Sequence, residues 1–501
     1  MDYVKGKCRN QVQIMKSLDE YIKQNNVVRI IDAFVNSLDI KALEFKNSVL
    51  NTAGRPPYDP KDMLKLYIYG MENGITSSRK LERECCRNIE LMWLVNEIEP
   101  ENKTICNFRK DNSKPLVNTF KKFCHMLKDW GLIDGKIMAL DGTKIRANNS
   151  KKNNFSIKKL NRSIAYIDEK IAKYMLDIDE NDNNEESTQK LTAEMIQQKI
   201  IELRNRKDEY STYIQKIEQG ETNEISTIDT DARLMCAGNN GIDVSYNIQT
   251  MVDAKHKLIA GAKVINNAAD AGQLGIVPND IKTELQLTEM TVLADKGFYK
   301  TEDFKTCEEQ GITTIVAKPN YTSCKIGFKY DSEENIYICP AGNKLYPGKV
   351  DSLGFRRYKN RRVCTSCPHL VQCTKGKPKE ICRHIHADSA ERNDLRLHQN
   401  LELYKQRQMI VEHPFGTVKR TMGIRQFLTR GLTKVSGEVA LIYITYNLKR
   451  LKNILNFDDL MRKIQDSSLS SFLYKHLLSK IPSSISFHQY NNYYLCFNSA
   501  V

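Results

Sequence analysis

Two apolar runs, Ile137-Met138-Ala139-Leu140 and Met290-Thr291-Val292-Leu293-Ala294, each stop at an aspartate, Asp141 and Asp295. Short apolar runs bounded in this way read as buried strands. An acid placed directly after a buried strand lies at the carboxyl edge of a sheet, where α/β folds gather their ligands. The surrounding pattern agrees. Lys136 to Arg146 reads as a strand, a turn at Gly142 and a second extended piece. Asp243 to Asp253 and Leu258 to Ile265 read as strands, Ala269 to Leu287 as a helix, and Ile312 to Ala317 as a further strand. Strand, strand, strand, helix, strand, helix, strand describes a mixed α/β sheet.

Residues 1–130 read as an all-helical domain. Pro60 suits the first turn of a helix through Gly70, and Gly74 punctuates it. Thr76-Ser77-Ser78 is a cap for a second helix through Leu81 and Cys85. Ile89 to Val95 forms a third, and Thr104 caps a fourth that carries Phe108, Arg109 and Lys110. Short helices with tight turns and exposed cations such as Arg79 and Arg109 suit a helix-turn-helix DNA reader; a plain helical packing domain fits the same pattern.

Residues 155–218 interrupt the sheet. Ile157, Leu160, Ile164, Ile167, Ile171, Tyr174 and Ile178 recur at alternating three and four spacing, as do Ile196, Ile200, Leu203, Lys207, Tyr210, Ile214 and Ile217. This is the signature of an antiparallel helical hairpin. Its polar connector, residues 179–190, reads as a mobile tip. Residues 320–385, with Tyr, Cys, Gly and Lys, read as a compact β insertion. Residues 386–456 return to helix, and 457–501 form a C-terminal tail without a motif.

The chain has 501 residues and a net charge of +15. Such a balance favours phosphate backbones or anionic surfaces as partners. Lys5, Lys7 and Arg9 are not followed by an apolar stretch, and no run long enough to span a membrane occurs. With no export signal, the 14 cysteines read as reduced thiols, apart from any that bind metal.

A third acid, Glu412, stands in Val411-Glu412-His413-Pro414-Phe415-Gly416-Thr417-Val418-Lys419. On a regular helix Glu412 and Lys419 share a face. Pro414 implies that the helix starts near Glu412 or kinks there. Each acid taken alone reads as well as a strand or helix cap. Together, in a basic chain, Asp141, Asp295 and Glu412 suit a Mg²⁺ or Mn²⁺ site for phosphodiester chemistry, since such ions prefer oxygen ligands.

With these segments in view, the chain resembles the DDE transposases of bacterial insertion sequences, within them the eleven-eighty-two group. The resemblance runs from about Gly54 to Leu455. Gly54-Arg55-Pro56-Pro57-Tyr58-Asp59-Pro60, Ser77-Ser78-Arg79 and Thr104-Ile105-Cys106-Asn107-Phe108-Arg109 resemble the family's N-terminal DNA-binding domain. Arg430-Gly431-Leu432-Thr433-Lys434-Val435 and Tyr446-Asn447-Leu448-Lys449-Arg450-Leu451 resemble its closing helices. Asp229-Thr230-Asp231-Ala232-Arg233 resembles an accessory stretch before the second strand.

The resemblance implies an RNase H-like catalytic core over 131–456, with helices on both faces of a mixed sheet. It implies that Asp141, Asp295 and Glu412 are the metal-binding triad. Tyr404, Arg407 and Lys419 would be the DNA-contacting residues of a Tyr-Arg-Glu-Lys signature, although four residues rather than three separate Arg407 from Glu412. The implied partners are DNA, as terminal inverted repeats and target, and a second copy of the chain in a dimer or larger complex. The implied location is the bacterial cytoplasm, on the nucleoid when bound to DNA. An RNase H-like nuclease without strand transfer, or a domesticated non-catalytic DNA binder, are the alternatives. Cys364-x2-Cys367-x5-Cys373, with Cys339 upstream, has spacing suited to a structural Zn²⁺. His369 or Cys382 are substitutes for one ligand, and half-buried thiols with no metal are the plainer reading.

Overall fold

The computed structural model describes residues 17–50, 52, 56–182, 193–220, 223–236, 241–319, 327–374 and 377–478. Lys5, Lys7, Arg9, Gly54, Arg55, residues 183–190 of the hairpin connector and 479–501 of the tail lie outside the described residues. The chain divides into two compact units. One is Met1–Asp134 with Gly416–Gly423 and Gly437–Val501; the other is Gly135–Phe415 with Ile424–Ser436.

The first unit is helical. Asp59 accepts from the Lys61 amide at 2.7 Å and starts the helix Pro60–Glu72, with Pro60 in its first turn. Leu64, Leu66 and Ile68 are fully buried in it. The helix Ser78–Cys85 follows Ser77, and Ile89–Leu94 is capped by Asn88. The fourth helix, Asn102–Asp111, begins before the expected Thr104 cap, with Glu101 at the cap position. The Glu82 carboxylate explains this start, since it accepts from the Asn102 amide at 3.1 Å and side chain at 3.0 Å.

Arg109 is not on an exposed basic face. It is 5% exposed, its guanidinium stands 5.5 Å from the Tyr67 ring centre, and Nη1 is 3.9 Å from the Glu438 carboxylate. Ile105, Phe108 and Arg109 form the buried side of their helix. Arg79 is exposed on the helix Ser78–Cys85. The expected tail opens instead as a helix, Phe457–Leu478, held by Asn456 accepting from the Asp459 amide at 2.8 Å and by buried Leu460 and Ile464.

The second unit is a mixed α/β structure. Its strands in chain order are β1 (Ile137–Arg146), β2 (Asn154–Ser156), β3 (Glu224–Ser226), β4 (Arg233–Cys236), β5 (Ile242–Asp253), β6 (Ile259–Ile265), β7 (Met290–Ala294) and β8 (Ile312–Val316). The main sheet runs β4-β5-β1-β7-β8, with β6 also on β5. Strand β1 is antiparallel to β5 and parallel to β7, and β7 is parallel to β8. Met138, Ala139, Leu140, Val292, Leu293 and Ala294 are all fully buried, which is why these runs carry no polar alternation.

No turn interrupts β1 at Gly142. Strand β5 pairs with β1 from Met138 to Arg146, and that continuous ladder keeps Gly142 extended. The expected helix from Ala269 is also shorter, covering Val277–Glu284. Pro278 sets its first turn, and Gly272 (φ +88°) keeps the preceding segment in a loop.

The hairpin helices are Ile157–Asp182 and Ala193–Gln219, so Asp179 to Asp182 belong to a helix rather than to the tip. Leu160, Ile167, Ile196, Ile200 and Ile217 are buried, and Lys207 at an inward register pairs with Asp168 at 2.6 Å. Strands β2 and β3 close its base.

The β insertion is a five-stranded antiparallel meander of β9 (Lys329–Asp331), β10 (Ile336–Ile338), β11 (Lys344–Val350), β12 (Phe355–Lys359) and β13 (Glu380–His384). Tyr337, Leu345, Tyr358 and Ile381 form its core. No helix of the described residues is long and apolar enough to cross a membrane.

Candidate active site

Leu140 of β1 pairs with Ala294 of β7, so Asp141 and Asp295 follow equivalent positions on adjacent parallel strands. Strand β7 ends there, while β1 continues along β5. Asp295 caps a short turn, accepting from the Gly297 amide at 2.9 Å. Asp141 Oδ1 accepts from the Gly142 amide at 2.8 Å, and its Oδ2 lies 3.6 Å from Arg407 Nη1. Burial pushes the Asp141 carboxyl up to about 6; the Arg407 guanidinium opposes this, and the charges of Asp295 and Asp270 reinforce it.

Arg407 comes from the helix Leu401–Gly416. Tyr404, one turn earlier, has its phenol raised by burial, with Arg407 bonded to it and the charge of Asp295 within reach. Asp141, Asp295, Tyr404 and Arg407 are therefore together. Glu412 is not gathered with them: it is exposed and accepts from Gln408 Nε2 at 2.6 Å, one turn back on its own helix. Five residues beyond Arg407, it points about 140° away around the helix axis.

The helix neither starts at Glu412 nor stops at Pro414, which is buried inside it. A wide π-helical turn, Thr417–Thr421, follows and carries Lys419. The seven-residue register that would align Lys419 with Glu412 on a regular helix is thereby lost. Asp229 and Asp231 are structural. Asp229 Oδ1 accepts from the Tyr246 hydroxyl at 2.7 Å and the Gly431 amide at 3.1 Å, and Asp231 from the Leu432 amide at 2.8 Å.

Among the described residues, no group of three or more His, Cys, Asp or Glu could hold a metal ion. Cys339, Cys364, Cys367 and Cys373 are free thiols, and Cys339 Sγ accepts from the Asn343 amide at 3.3 Å, which stabilises a turn. For the oxygen-ligand reading, Asp141 and Asp295 supply the appropriate donors. The raised Asp141 carboxyl reports chiefly its burial, to which the charges of Asp295 and Asp270 add.

One acid of this site went unread in the sequence. Asp270, from the loop before Val277, accepts from Asn247 Nδ2 and Gln249 Nε2 at 2.7 Å each and from Lys144 Nζ at 3.0 Å. Lys144 pairs with Asn247 and Gly142 with Gln249 across β1 and β5, so these four positions share one face of the sheet. Gly142 leaves room there, because a Cβ would come within 2.4 Å of Asp270 Oδ1 and 2.8 Å of Gln249 Nε2 and force those side chains to shift. Gly142→Ala is expected to cost about 1–3 kcal/mol in thermal or denaturant melts.

Residues 16–111 match the model of a transposase domain (DUF772), and residues 338–452 match that of a transposase DDE domain. The second stretch contains Tyr404, Arg407, Glu412 and Lys419; Asp141 and Asp295 lie between the two. No curated protein matches the chain. Among solved structures, the chain is similar to a cryo-EM structure of the piggyBac transposase synaptic complex with hairpin DNA, at 10% identity and a TM-score of 0.32, over 93% of this chain and 84% of that one. A DDE domain implies dependence on a divalent metal ion. A transposase domain at one end and a transposase DDE domain toward the other, with paired aspartates on a sheet of the intervening sequence, support a DDE transposase that cleaves and transfers DNA strands in transposition.

Proposed function

We propose that this transposase cuts DNA at the ends of an insertion sequence of the eleven-eighty-two group and joins the freed 3′ ends to target DNA. The observation that carries this reading is the placement of Asp141 and Asp295 after paired residues of parallel strands β1 and β7, with Arg407 against Asp141. The strand order and directions of the main sheet support an RNase H-like core.

Asp141, Asp295 and Glu412 are assigned as the acids that hold Mg²⁺ or Mn²⁺. Such ions, when bound, activate the attacking oxygen and stabilise the leaving one. Arg407 orients the Asp141 carboxylate, and Tyr404 holds Arg407 in place. Lys419 is assigned to phosphate as a point charge. The helices of residues 56–111 are assigned to terminal-repeat recognition, with Arg79 rather than the buried Arg109 available to DNA. Synapsis of two ends requires at least a dimer. The protein acts in the bacterial cytoplasm, on the nucleoid when bound to DNA.

The test is an assay on labelled DNA carrying the element's ends, with Mg²⁺ or Mn²⁺, that separates cleaved from joined products. Both products are expected. Cleavage without joining would mark a nuclease, and binding without cleavage a domesticated binder.

A further inference from the structure

The cluster around Asp270 is built, not incidental. Asn247 and Gln249 are fully buried, and each spends its amide nitrogen on Asp270 Oδ1. Their carboxamide oxygens, Asn247 Oδ1 and Gln249 Oε1, are buried with no hydrogen-bond partner in the protein. Orphaned buried acceptors of this kind are costly and call for an explanation. Asn247 Oδ1 lies 3.0 Å from where a Gly142 Cβ would stand, so it abuts the residue that follows Asp141. Asp270 also stands beside the turn that Asp295 caps, since its Oδ2 is 3.8 Å from where a Gly297 Cβ would stand, and Gly297 donates to Asp295. The Lys144 ammonium, 17% exposed, is balanced by Asp270 within this cluster.

We propose that Asp270 is a positioning residue of the active site. Bonded to Asn247, Gln249 and Lys144, it stands against the backbone beside Asp141 and Asp295 at Gly142 and Gly297, and it cancels the Lys144 charge so that the two aspartates can accept a divalent cation. The inference rests on the assignment of Asp141 and Asp295 as metal ligands. Asp270 itself need not touch the metal. Without its charge, Lys144 would stand as an uncompensated cation beside the site and repel a second one.

The test uses the full chain and Mn²⁺ as probe, with free Mn²⁺ followed by electron paramagnetic resonance titration and a thermal melt to confirm folding. Asp270→Asn keeps the shape and should weaken Mn²⁺ binding about tenfold. Lys144→Met removes the opposite charge and should leave binding equal or tighter. The double variant should return to within about threefold of wild type. A purely structural role would move both single variants in the same direction. Wild-type Mn²⁺ affinity in folded Asp270→Asn, or a double variant no better than Asp270→Asn, would overturn the inference. Asp141→Asn, titrated in parallel, separates the two assignments. If it keeps wild-type affinity, the metal-ligand assignment fails. If it loses affinity while Asp270→Asn does not, only the role of Asp270 fails.

Discussion

Asp141→Asn should abolish activity and stabilise the protein. DNA cleavage and joining are expected to fall about a thousandfold or more, because the neutral amide cannot hold a divalent cation or its transition-state charge. Stability should move the other way. Burial raises the Asp141 carboxyl from its ordinary 3.8 to about 6, so the folded state prefers the protonated form. The ionised form therefore carries a penalty that is absent below about pH 4 and grows as the pH rises through about 6. Asparagine removes that penalty. In the presence of a chelator at pH 7, the variant should be about 1–3 kcal/mol more stable than wild type in denaturant melts, with the difference vanishing near pH 4. The Arg407 guanidinium, deprived of its carboxylate, moves the gain toward the lower figure. Equal stability at pH 7 would mean that Asp141 is not strained by its surroundings.

The second large effect concerns the helical unit. Arg109 and Glu438 have side chains only 6% and 4% exposed, and the guanidinium also rests near the Tyr67 ring. Removing one member of a buried pair leaves the other charge poorly compensated, typically at about 3–5 kcal/mol. Arg109→Met should therefore destabilise the protein by about 3 kcal/mol in denaturant melts. Arg109→Met with Glu438→Gln should recover part of the loss, because the buried carboxylate that lost the Arg109 charge is gone. The Arg109 variant should lose end binding only as it unfolds, whereas Arg79→Ala should weaken end binding with an unchanged melting temperature.

How far the sequence could be read depended on whether the deciding interaction was local. Strands β1 and β7 were readable because both faces are covered, which forces continuous apolar runs, and their terminal aspartates marked the sheet edge. The hairpin was readable from its repeat, and the first helices from Asp59, Pro60 and Asn88. Gly142 was misread as a turn because its conformation is set by strand β5, about a hundred residues away. Asp270 was hidden for the same reason. Its partners Lys144, Asn247 and Gln249 come from two other strands, and Ala269 to Leu287 looked helical although Pro278 was in plain view. The exposure of Arg109 was misjudged because its counter-ion lies at residue 438. Among the site residues, Arg407 is where resemblance and geometry meet, since its guanidinium faces Asp141, while Glu412 is placed by resemblance alone.

Glu412 is therefore where the assignment of three acids is most exposed to test. The decisive measurement is cleavage and joining of labelled element ends with Mn²⁺ by wild type, Asp295→Ala and Glu412→Ala, each shown to bind the DNA. Three acids acting as one metal site require both variants to lose both products. Cleavage surviving in Glu412→Ala would contradict that site and leave the third ligand to be found elsewhere on the chain.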